Sequence, residues 1–556
     1  MKGFPKQRLT IRLLASALAL AVFITAPSTA RAAFGLTTAT GYYQVDTGAG
    51  LVFKIRRTDN GSKTQSAGDI MSLVWNGVEY QDQSRGSQVN SGFDYLYADV
   101  SAVTVSAALI NASFIKVTVQ AGKLTHYYLA RNGYPHIYMA DYFTSEPDTL
   151  GLCRYILRIP VAKLPTGPIP SDIRNNTGAI ESGDVFGLRN GQTRSKHYSN
   201  MRLKDWSYIG ATGRNVGMWI VRDNNEGGSG GPFFRCLLNQ CTSTHQEITY
   251  IVNYGEGQTE AYRPGILNSY TLVMTTGSPP GVIDTSWFGS MGLTGYLADS
   301  SRGRVTGLGI SGRDPNYAYT AGFANSTAQY WTAAASNGAF TCTGMRPGVY
   351  TMTIYKNELA VWTGSATVTA GGTTTFNPIT ITGDPSATTA IWRIGDWDGT
   401  PTEFRNGGLV TSMHPSDIRM SSWTPGAYIV GSSGNSSFPC YQWAAVNGSQ
   451  AVSFHLTSAQ VAAHTVRVGI TCAYSHARPH ITVNSWHSAN QSASSQPSTR
   501  TLTVGTYRGN NVTYTFNVPA SAFVTGTNTL TISPVSGSSG ATYLSPGYSI
   551  DCVDLL

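Results

Sequence analysis

The sequence predicts an all-β protein that is divided into more than one domain. Its 556 residues exceed the size of a single domain, and two to four domains are expected. Charged residues make up only 12% of the chain, against roughly 25% in an average soluble protein. Sixty glycines and 30 tyrosines favour short strands joined by polar turns. A helical period is indicated at most near residues 458–463.

The first 32 residues have the features of a secretory signal peptide. Four cations precede a short apolar run at 13–25 and a small-residue cleavage site at 30–32. We therefore expect a mature chain that begins at Ala33, is secreted to the extracellular space and does not span a membrane. Removing the five cations of this acid-free segment lowers the formal charge from +8 to +3. A charge that small argues against nucleic acid as a partner.

Seven cysteines are spread over the mature chain. An extracellular location permits disulfide bonds, and the odd number leaves at least one cysteine unpaired within the chain. Cys236 and Cys241 are spaced so that they could close a short local loop. The cysteine spacing is not that of a zinc site.

Turn-rich junctions divide the mature chain into three predicted β domains. Residues 33–280 form a large domain in which alternating stretches are separated by Gly- and Asn-rich turns. After a linker at 278–286, residues 287–383 suit an immunoglobulin-like or fibronectin-like sandwich. A second junction at 383–386 precedes residues 388–556, whose size and strand pattern suit a jelly roll.

The segment Thr193–Tyr198 contains the strongest candidate for chemistry. On a β-strand, Arg194, Lys196 and Tyr198 would share one face because successive side chains alternate. Two cations held that close repel each other, which lowers the pKa of the lysine, so Lys196 could act as a base near neutral pH. The same face would attract an acidic substrate. The alternative is a solvated strand that carries two surface cations.

Two further segments carry groups that could hold or protonate such a substrate. Arg154 and Arg158 alternate onto one face of a predicted strand, where their guanidinium groups can bind carboxylates. A salt-bridged strand surface explains that pair equally well. The segment Asn253–Arg263 brings carboxylates and tyrosines together after a strand. The alternative is that this segment is an ordinary hairpin with polar side chains on its surface.

The predicted jelly roll contains aromatic residues that could stack on sugars but more commonly fill a sandwich core: Trp392, Trp397, Phe404 and Trp423. Asp396 and Asp398 could hold a hard cation, although two aspartates are too few to define a site.

These stretches together resemble the rhamnogalacturonan lyases of polysaccharide lyase family four, over nearly the whole mature chain. The motifs that carry the resemblance are spread over all three domains and include Ala179-Ile180-Glu181, Asp184-Val185-Phe186, Thr193-Arg194-Ser195-Lys196, Ser229–Phe233, Gln258-Thr259-Glu260, Met413–Asp417, Arg419–Trp423 and Tyr543–Pro546. So many co-linear motifs are a far more specific signal than any one of them.

The resemblance implies a large β-sandwich catalytic domain (a supersandwich like that of galactose mutarotase), a fibronectin type III-like sandwich and a jelly-roll carbohydrate-binding-like domain. It implies an endolyase that cleaves rhamnogalacturonan I, an acidic plant cell-wall polysaccharide of pectin. The reaction is a β-elimination that leaves an unsaturated galacturonate. No cofactor is implied for catalysis, whereas a structural Ca²⁺ in the third domain would follow by resemblance. We expect the protein to be a monomer.

The resemblance also implies roles for particular residues. Lys196 falls on the family's catalytic base. The family carries a histidine as proton donor where this chain has Glu256, so Glu256 or a nearby tyrosine is expected to protonate the leaving oxygen. The expected substrate contacts are the arginines and tyrosines of the three segments: Arg154, Arg158, Arg194, Tyr198, Tyr254 and Tyr262.

Two other functions stay open at this point. A non-catalytic relative would bind pectin without producing unsaturated ends. A glycoside hydrolase would need two carboxylates facing across a cleft, and its products would lack the double bond.

Overall fold

The structure of the protein is a computed structural model that describes residues 33–98, 103–148, 152–224, 226–254 and 257–556. The predicted signal peptide and the predicted proton donor Glu256 lie outside the described residues. Within these ranges, no helix has the length and apolar character needed to cross a bilayer.

The all-β prediction is confirmed. The described ranges contain forty strands, and their helical segments are 3-10 helices of three to five residues. These short helices are Phe93–Tyr95, Ile169–Ser171, Lys196–Ser199, Leu203–Asp205, Ser286–Ser290, Asp299–Ser301, Pro385–Ala387, Asn435–Ser437, Ser458–Gln460, Thr501–Val504, Ala520–Ala522 and Thr542–Leu544.

The first unit contains twenty-one strands. They are β1 (Gly35–Thr38), β2 (Tyr42–Asp46), β3 (Leu51–Arg56), β4 (Ile70–Trp75), β5 (Val78–Glu79), β6 (Gln88–Val89), β7 (Thr104–Asn111), β8 (Phe114–Ala121), β9 (Leu124–Arg131), β10 (His136–Phe143), β11 (Leu152–Pro160), β12 (Gly178–Glu181), β13 (Val185–Gly187), β14 (Thr193–Ser195), β15 (Met201–Arg202), β16 (Tyr208–Gly213), β17 (Val216–Arg222), β18 (Arg235–Cys236), β19 (Asn239–Cys241), β20 (His245–Tyr254) and β21 (Leu267–Thr275).

Three larger sheets build this unit, and two small ones complete it. Their strand orders are β1-β2-β3-β4-β5, β16-β17-β21-β10-β9-β8-β7, β19-β20-β11-β6, β12-β13-β14 and β15-β18. One apolar cluster joins the three larger sheets. Within it, the ring of Tyr250 on β20 stacks on that of Tyr270 on β21 with centroids 4.0 Å apart. Each aromatic side chain buried in this way contributes about 1.5–3 kcal/mol.

Strand β11 shows how this packing presents polar groups at the site. Tyr155 and Leu157 are fully buried in the cluster. Because side chains alternate along a strand, Arg154 and Arg158 project to the opposite face. That face also carries side chains of β20, since Arg154 pairs with Ile251 and Arg158 with Glu247.

The second unit contains nine strands in two small sheets and one four-stranded sheet. They are β22 (Gly303–Gly307), β23 (Ile310–Ser311), β24 (Tyr319–Ala324), β25 (Gln329–Ala333), β26 (Phe340–Met345), β27 (Gly348–Lys356), β28 (Leu359–Val368), β29 (Thr373–Phe376) and β30 (Ile379–Thr380). The sheets run β26-β22-β29, β23-β30 and β25-β24-β27-β28. The alternating sequence of residues 348–355 is typical of a strand, and these residues lie in β27.

The third unit contains ten strands in two five-stranded sheets. They are β31 (Trp392–Gly395), β32 (Tyr428–Ile429), β33 (Tyr441–Trp443), β34 (Gln450–Leu456), β35 (His464–Tyr474), β36 (Arg478–Val483), β37 (Trp486–His487), β38 (Val512–Val518), β39 (Gly526–Val535) and β40 (Gly547–Leu555). One sheet runs β31-β40-β35-β38, with β33 also pairing with β40, and the other runs β32-β34-β39-β36-β37. The aromatic residues noted in the sequence are core residues, with 1–7% of each exposed: Trp392, Trp397, Phe404 and Trp423.

A buried carboxylate, Glu358, joins all three units. It lies on the turn between β27 and β28 and is 0% exposed. Its Oε1 accepts hydrogen bonds from Arg202 Nη1 of the first unit at 3.2 Å and from the Tyr507 hydroxyl of the third unit at 3.0 Å. A charge buried this deeply needs such partners, so it fixes how the units meet.

Cys236 and Cys241, whose spacing would permit a short disulfide loop, are not joined in the structure. All seven cysteines lie in the described ranges, and each is a buried free thiol. Cys236 Sγ is directed at the Met201 carbonyl and Cys241 Sγ at the Thr242 carbonyl, each at 3.9 Å. The two cysteines belong to separate strands, β18 and β19, which pair with β15 and β20.

Candidate active site

The segment that carries Lys196 is a short strand followed by a 3-10 helix. Strand β14 ends at Ser195, and the helix begins at Lys196. The Ser195 hydroxyl accepts a hydrogen bond from the backbone N–H of His197 at 3.2 Å, which caps the helix. A serine that bonds its own backbone in this way competes with continued strand pairing. The prediction that Arg194, Lys196 and Tyr198 share one strand face is therefore wrong.

Lys196 faces a carboxylate instead of a second cation. Its Nζ lies 2.6 Å from Asp184 Oδ1, and both side chains are partly exposed, at 23% and 33%. His197 and Lys196 hold the pKa of the Asp184 carboxyl well below its ordinary value. His197 Nε2 is 3.9 Å from Asp184 Oδ2, which is too long for a hydrogen bond, so we regard the ammonium as the principal partner. Asp184 is thus ionised at any working pH.

The third unit contributes a guanidinium group and an imidazole to this cluster. Arg500 Nη2 lies 3.6 Å from Asp184 Oδ2, and Arg500 Nη1 lies 3.1 Å from Glu181 Oε1. His414 Nε2 contacts the other Glu181 oxygen at 2.8 Å. Burial raises the pKa of Glu181, but the contacts with His414 and Arg500 outweigh it and lower the pKa below its ordinary value. Two carboxylates of the first unit are therefore contacted by two side chains of the third, Arg500 and His414.

A loop of the third unit also supports the strand that precedes Lys196. Asp417 Oδ2 accepts hydrogen bonds from the backbone N–H of Thr193 at 2.6 Å and from the Thr193 hydroxyl at 2.8 Å. The Thr193 hydroxyl in turn accepts from the backbone N–H of His414 at 3.0 Å. Burial raises the pKa of Asp417, but its contacts with Arg419 and Thr193 lower it to about 2. This charged anchor fixes the position of β14.

Arg154 and Arg158 have different surroundings although they share a face of β11. Arg158 is 3% exposed, donates from Nη1 to the Gly86 carbonyl at 2.8 Å and lies 3.4 Å from Glu247. Burial lowers the pKa of Arg158 to about 10. Arg154 is partly exposed, and the exposure distinguishes the two arginines because the buried Nε of each has no hydrogen-bond partner among the described residues. Arg154 is thus the arginine that is available to a ligand.

Arg154 also connects electrostatically with the lysine cluster. Burial lowers its pKa, while Glu247, Tyr254 and Asp184 oppose that effect. Arg85, whose side chain is 37% exposed, pairs with Glu247 at 3.3 Å. Several cations therefore surround few carboxylates on this face, which favours an anionic ligand.

The structure places Arg194 and Tyr198 in supporting positions. Arg194 is 9% exposed and donates to the Gln192 side chain and the Thr193 carbonyl, each at 2.9 Å. Tyr198 is 3% exposed, and its hydroxyl donates to the Thr503 carbonyl of the third unit at 3.0 Å. Neither side chain is presented beside Lys196 as the strand prediction required.

The two tyrosines predicted near the proton donor also differ in how exposed they are. Tyr254 ends β20, pairs with Leu152 across the ladder and is partly exposed near Arg154. The Tyr262 hydroxyl is buried without a hydrogen-bond partner among the described residues, and burial raises its pKa well above the ordinary value. Glu260, its neighbour in sequence, pairs with Arg263 at 2.5 Å.

Several charged residues of the cluster were missed by the residue-level reasoning. Asp184 and His414 belong to motifs of the family resemblance, but their contacts with Lys196 and Glu181 depend on tertiary structure. Arg500 lies 304 positions from Lys196 in the sequence and carries no local signal. Arg85 and Glu247 likewise come together only when β20 pairs with β11.

The described residues do not support the predicted calcium site. Asp398 Oδ1 accepts from the Thr400 backbone N–H at 2.8 Å, and its Oδ2 accepts from Asn357 Nδ2 at 2.6 Å. Across the described ranges, no group of three or more His, Cys, Asp or Glu side chains could hold a metal ion.

Comparison with known proteins assigns each unit of the fold to one family. Residues 34–295 match the family model for rhamnogalacturonan lyase B, N-terminal. Residues 301–376 match polysaccharide lyase family 4, domain II, and residues 390–555 match polysaccharide lyase family 4, domain III. The three-unit β fold is thus that of a polysaccharide lyase, and the chain belongs to polysaccharide lyase family 4.

Several individual proteins that the chain resembles are rhamnogalacturonate lyases. The chain is 40% identical over 537 residues to a probable rhamnogalacturonate lyase A of Aspergillus fumigatus, covering 95% of this chain and 98% of that protein. It is also 40% identical, over 529 residues in each case, to the rhamnogalacturonate lyases A of Emericella nidulans and Aspergillus aculeatus. These alignments cover 95% of this chain and 96% and 97% of the relatives.

Proposed function

We propose that this chain is a rhamnogalacturonan endolyase that cleaves the rhamnose–galacturonate backbone of pectin by β-elimination. Family membership and the full-length similarity to rhamnogalacturonate lyases support the substrate class. The observation that carries the mechanism is the arrangement of Lys196, Asp184 and Arg154 on one basic face.

Elimination requires that the C5 proton of galacturonate become acidic. This proton is α to the carboxylate, and a cation that neutralises the carboxylate stabilises the charge that develops when the proton leaves. Arg154 fits this role because its side chain is partly exposed. Arg158, on the same face of β11, lies 3.4 Å from Glu247.

Lys196 must then accept the proton as a neutral amine. Asp184 holds the lysine side chain at 2.6 Å, and Arg500 Nη2 lies 3.6 Å from the other oxygen of the same carboxylate. The base therefore lies in a cluster of charged groups that come from two units of the fold. When the C5 proton has moved to Nζ, the bond to the 4-oxygen breaks and C4 and C5 become joined by a double bond.

The leaving 4-oxygen needs a proton from a second group. Among the described residues, Tyr254 is the hydroxyl that lies near Arg154 at the end of β20. Glu256 follows two positions later and stays a candidate donor from the sequence. A carboxylic acid can serve only if burial or a like charge raises its pKa.

One observation favours a second function, binding of pectin without cleavage. A lysine that is ion-paired at 2.6 Å can hold an acidic polymer without ever losing its proton. Both functions use the same basic face, so binding alone cannot distinguish them.

The remaining proposals concern where the protein acts, its oligomeric state and its need for a cofactor. We propose that the mature protein acts outside the cell, as the N-terminal signal indicates, and that it works as a monomer on rhamnogalacturonan I. The elimination as written uses amine, guanidinium and hydroxyl groups of the chain and calls for no cofactor.

The proposal is tested by incubating the purified protein with rhamnogalacturonan and following the ultraviolet absorbance of the unsaturated uronate. We expect absorbance to rise, and mass spectra of the products to show the loss of water that elimination produces relative to hydrolysis. Binding of the polymer without any rise in absorbance would favour the second function. Products without the double bond would indicate hydrolysis and refute both.

A further inference from the structure

A cleft opens in the third unit beside the catalytic cluster. Its volume is about 800 Å³, and it lies between two loops, residues 473–476 and 493–500. The second loop is held in place because Gln496 exchanges hydrogen bonds with the backbone of Asn510, at 2.9 and 3.0 Å. A cleft whose walls are fixed in this way loses less entropy when a ligand binds.

Arg500 connects this cleft with the catalytic cluster. It lines one end of the cleft, and its guanidinium group contacts Ser182 Oγ at 2.8 Å and Asp184 Oδ2 at 3.6 Å. Asp184 is in turn 2.6 Å from Lys196 Nζ. Two side chains, those of Arg500 and Asp184, therefore separate the cleft from Lys196, although the cleft belongs to a different unit of the fold.

The chemistry of the lining suits an anionic carbohydrate. Tyr474 offers a ring face that can pack on a sugar, and Ser494, Ser495 and Ser498 offer hydroxyls. None of the described lining residues is acidic, so the lining adds no negative charge to that of Glu181 and Asp184, the carboxylates that Arg500 already contacts.

We propose that this cleft binds the sugar residues that flank the bond being cut on the same polymer strand. This inference rests on the proposed function. It makes the third unit a continuation of the active site, in contrast to a separate module that would anchor the enzyme elsewhere on the polymer.

The proposal is tested by the dependence of binding on fragment length. Isothermal titration calorimetry measures the Kd of short and long purified rhamnogalacturonan fragments, with Lys196→Ala as the background so that nothing is cleaved. Ser498→Glu places a negative charge in the cleft, and Ser498→Gln is the matched neutral control. Ser365→Glu adds the same charge at an exposed position of β28 in the second unit.

We expect Ser498→Glu to weaken binding of the long fragments about three- to five-fold more than binding of the short ones, because only long fragments reach the cleft. Ser498→Gln and Ser365→Glu should leave the ratio of the two Kd values as it is in the background protein. An unchanged ratio for Ser498→Glu would overturn the proposal. Failure of the protein without substitutions to form unsaturated ends would refute the proposed function instead, and the calorimetry would still decide whether the cleft binds.

Discussion

The position of Lys196 depends on one carboxylate and on a cation that is distant in sequence. Asp184 holds the lysine side chain at 2.6 Å, and Arg500 lies 3.6 Å from the same carboxylate. The sequence predicted Lys196 as the base and a second cation beside it. It could not indicate which residue is that cation, because Arg194 is close to Lys196 in sequence whereas Arg500 is close to it only in the folded protein.

Asp184→Asn should slow the elimination. The Lys196 side chain would lose the charged partner that holds it at 2.6 Å, and a misplaced base should lower kcat at least about tenfold. The measurement is the initial rate on rhamnogalacturonan, with Asp205→Asn as control because Asp205 pairs with Lys204 at the same 2.6 Å distance. An unchanged kcat in Asp184→Asn would contradict the assigned role.

Substitution of Arg154 and Arg158 should separate substrate binding from stability. Arg154→Ala should lower kcat/KM at least about tenfold with little change in Tm, since the side chain is partly exposed. Arg158→Ala removes the buried hydrogen bond to the Gly86 carbonyl and one of the two arginines beside Glu247, and it should cost about 1–3 kcal/mol of folding free energy. Kinetics and thermal unfolding measured on both variants check this, and equal losses of Tm would be inconsistent with it.

At the scale of elements, the end of β14 at Ser195 determines where Lys196 points. Alternation along a strand was a sound guide for β11, where Arg154 and Arg158 do share a face. It failed at Thr193–Tyr198 because the serine hydroxyl caps a 3-10 helix. The sequence predicts strand periods well, but local side-chain-to-backbone bonds that end a strand are visible only in the structure.

Ser195→Ala should weaken both stability and activity. Loss of the cap is expected to cost about 1 kcal/mol of unfolding free energy, and kcat should fall because Lys196 is the first residue of the helix. Thr457→Ala removes the cap of a comparable 3-10 helix in the third unit and should affect stability alone. Chemical denaturation and initial rates check this, and normal kcat in Ser195→Ala would contradict it.

At the scale of the whole molecule, the site depends on contacts between units. The hairpin that carries Lys196 is anchored by Asp417 and Arg500, both from the third unit. Composition and turn positions were enough to predict three β domains, because short strand periods and Gly- or Pro-rich junctions are local features. The sequence could not predict how the domains pack, because charged contacts such as that of Glu358 with Arg202 join residues that are far apart in the sequence.

Glu358→Ala should destabilise the assembly of the units. Arg202 and Tyr507 would lose a shared buried acceptor, and we expect a cost of about 3–5 kcal/mol, with a smaller loss for Glu358→Gln. Asp284→Asn, which breaks an ion pair with Arg131 between side chains that are 57% and 28% exposed, should leave Tm almost unchanged. Differential scanning calorimetry compares the three variants, and equal Tm values for Glu358→Ala and Asp284→Asn would rule out the role of Glu358.

The stability of the molecule should fall as the pH rises above 5. Burial, followed by the neighbouring Asp398, raises the pKa of Glu403 to about 8, whereas the ordinary value is 4.5. The folded protein therefore retains a proton that the unfolded chain releases, so stability is lost from pH 4.5 up to about 8. Glu403→Gln should remove up to about 1.4 kcal/mol per pH unit of that slope. Denaturation at several pH values measures it, and an unchanged slope would contradict the assignment.

The most direct test of Lys196 as the base is the rate at which unsaturated uronate forms with Lys196→Ala beside Lys204→Ala. Both lysines pair with an aspartate at 2.6 Å and are partly exposed, so the two variants lose similar ion pairs. We expect Lys196→Ala to lose at least about a thousandfold in kcat, with partial recovery when a small primary amine is added, and Lys204→Ala to retain its activity. Formation of unsaturated ends by Lys196→Ala at the rate of the unsubstituted protein would contradict the account.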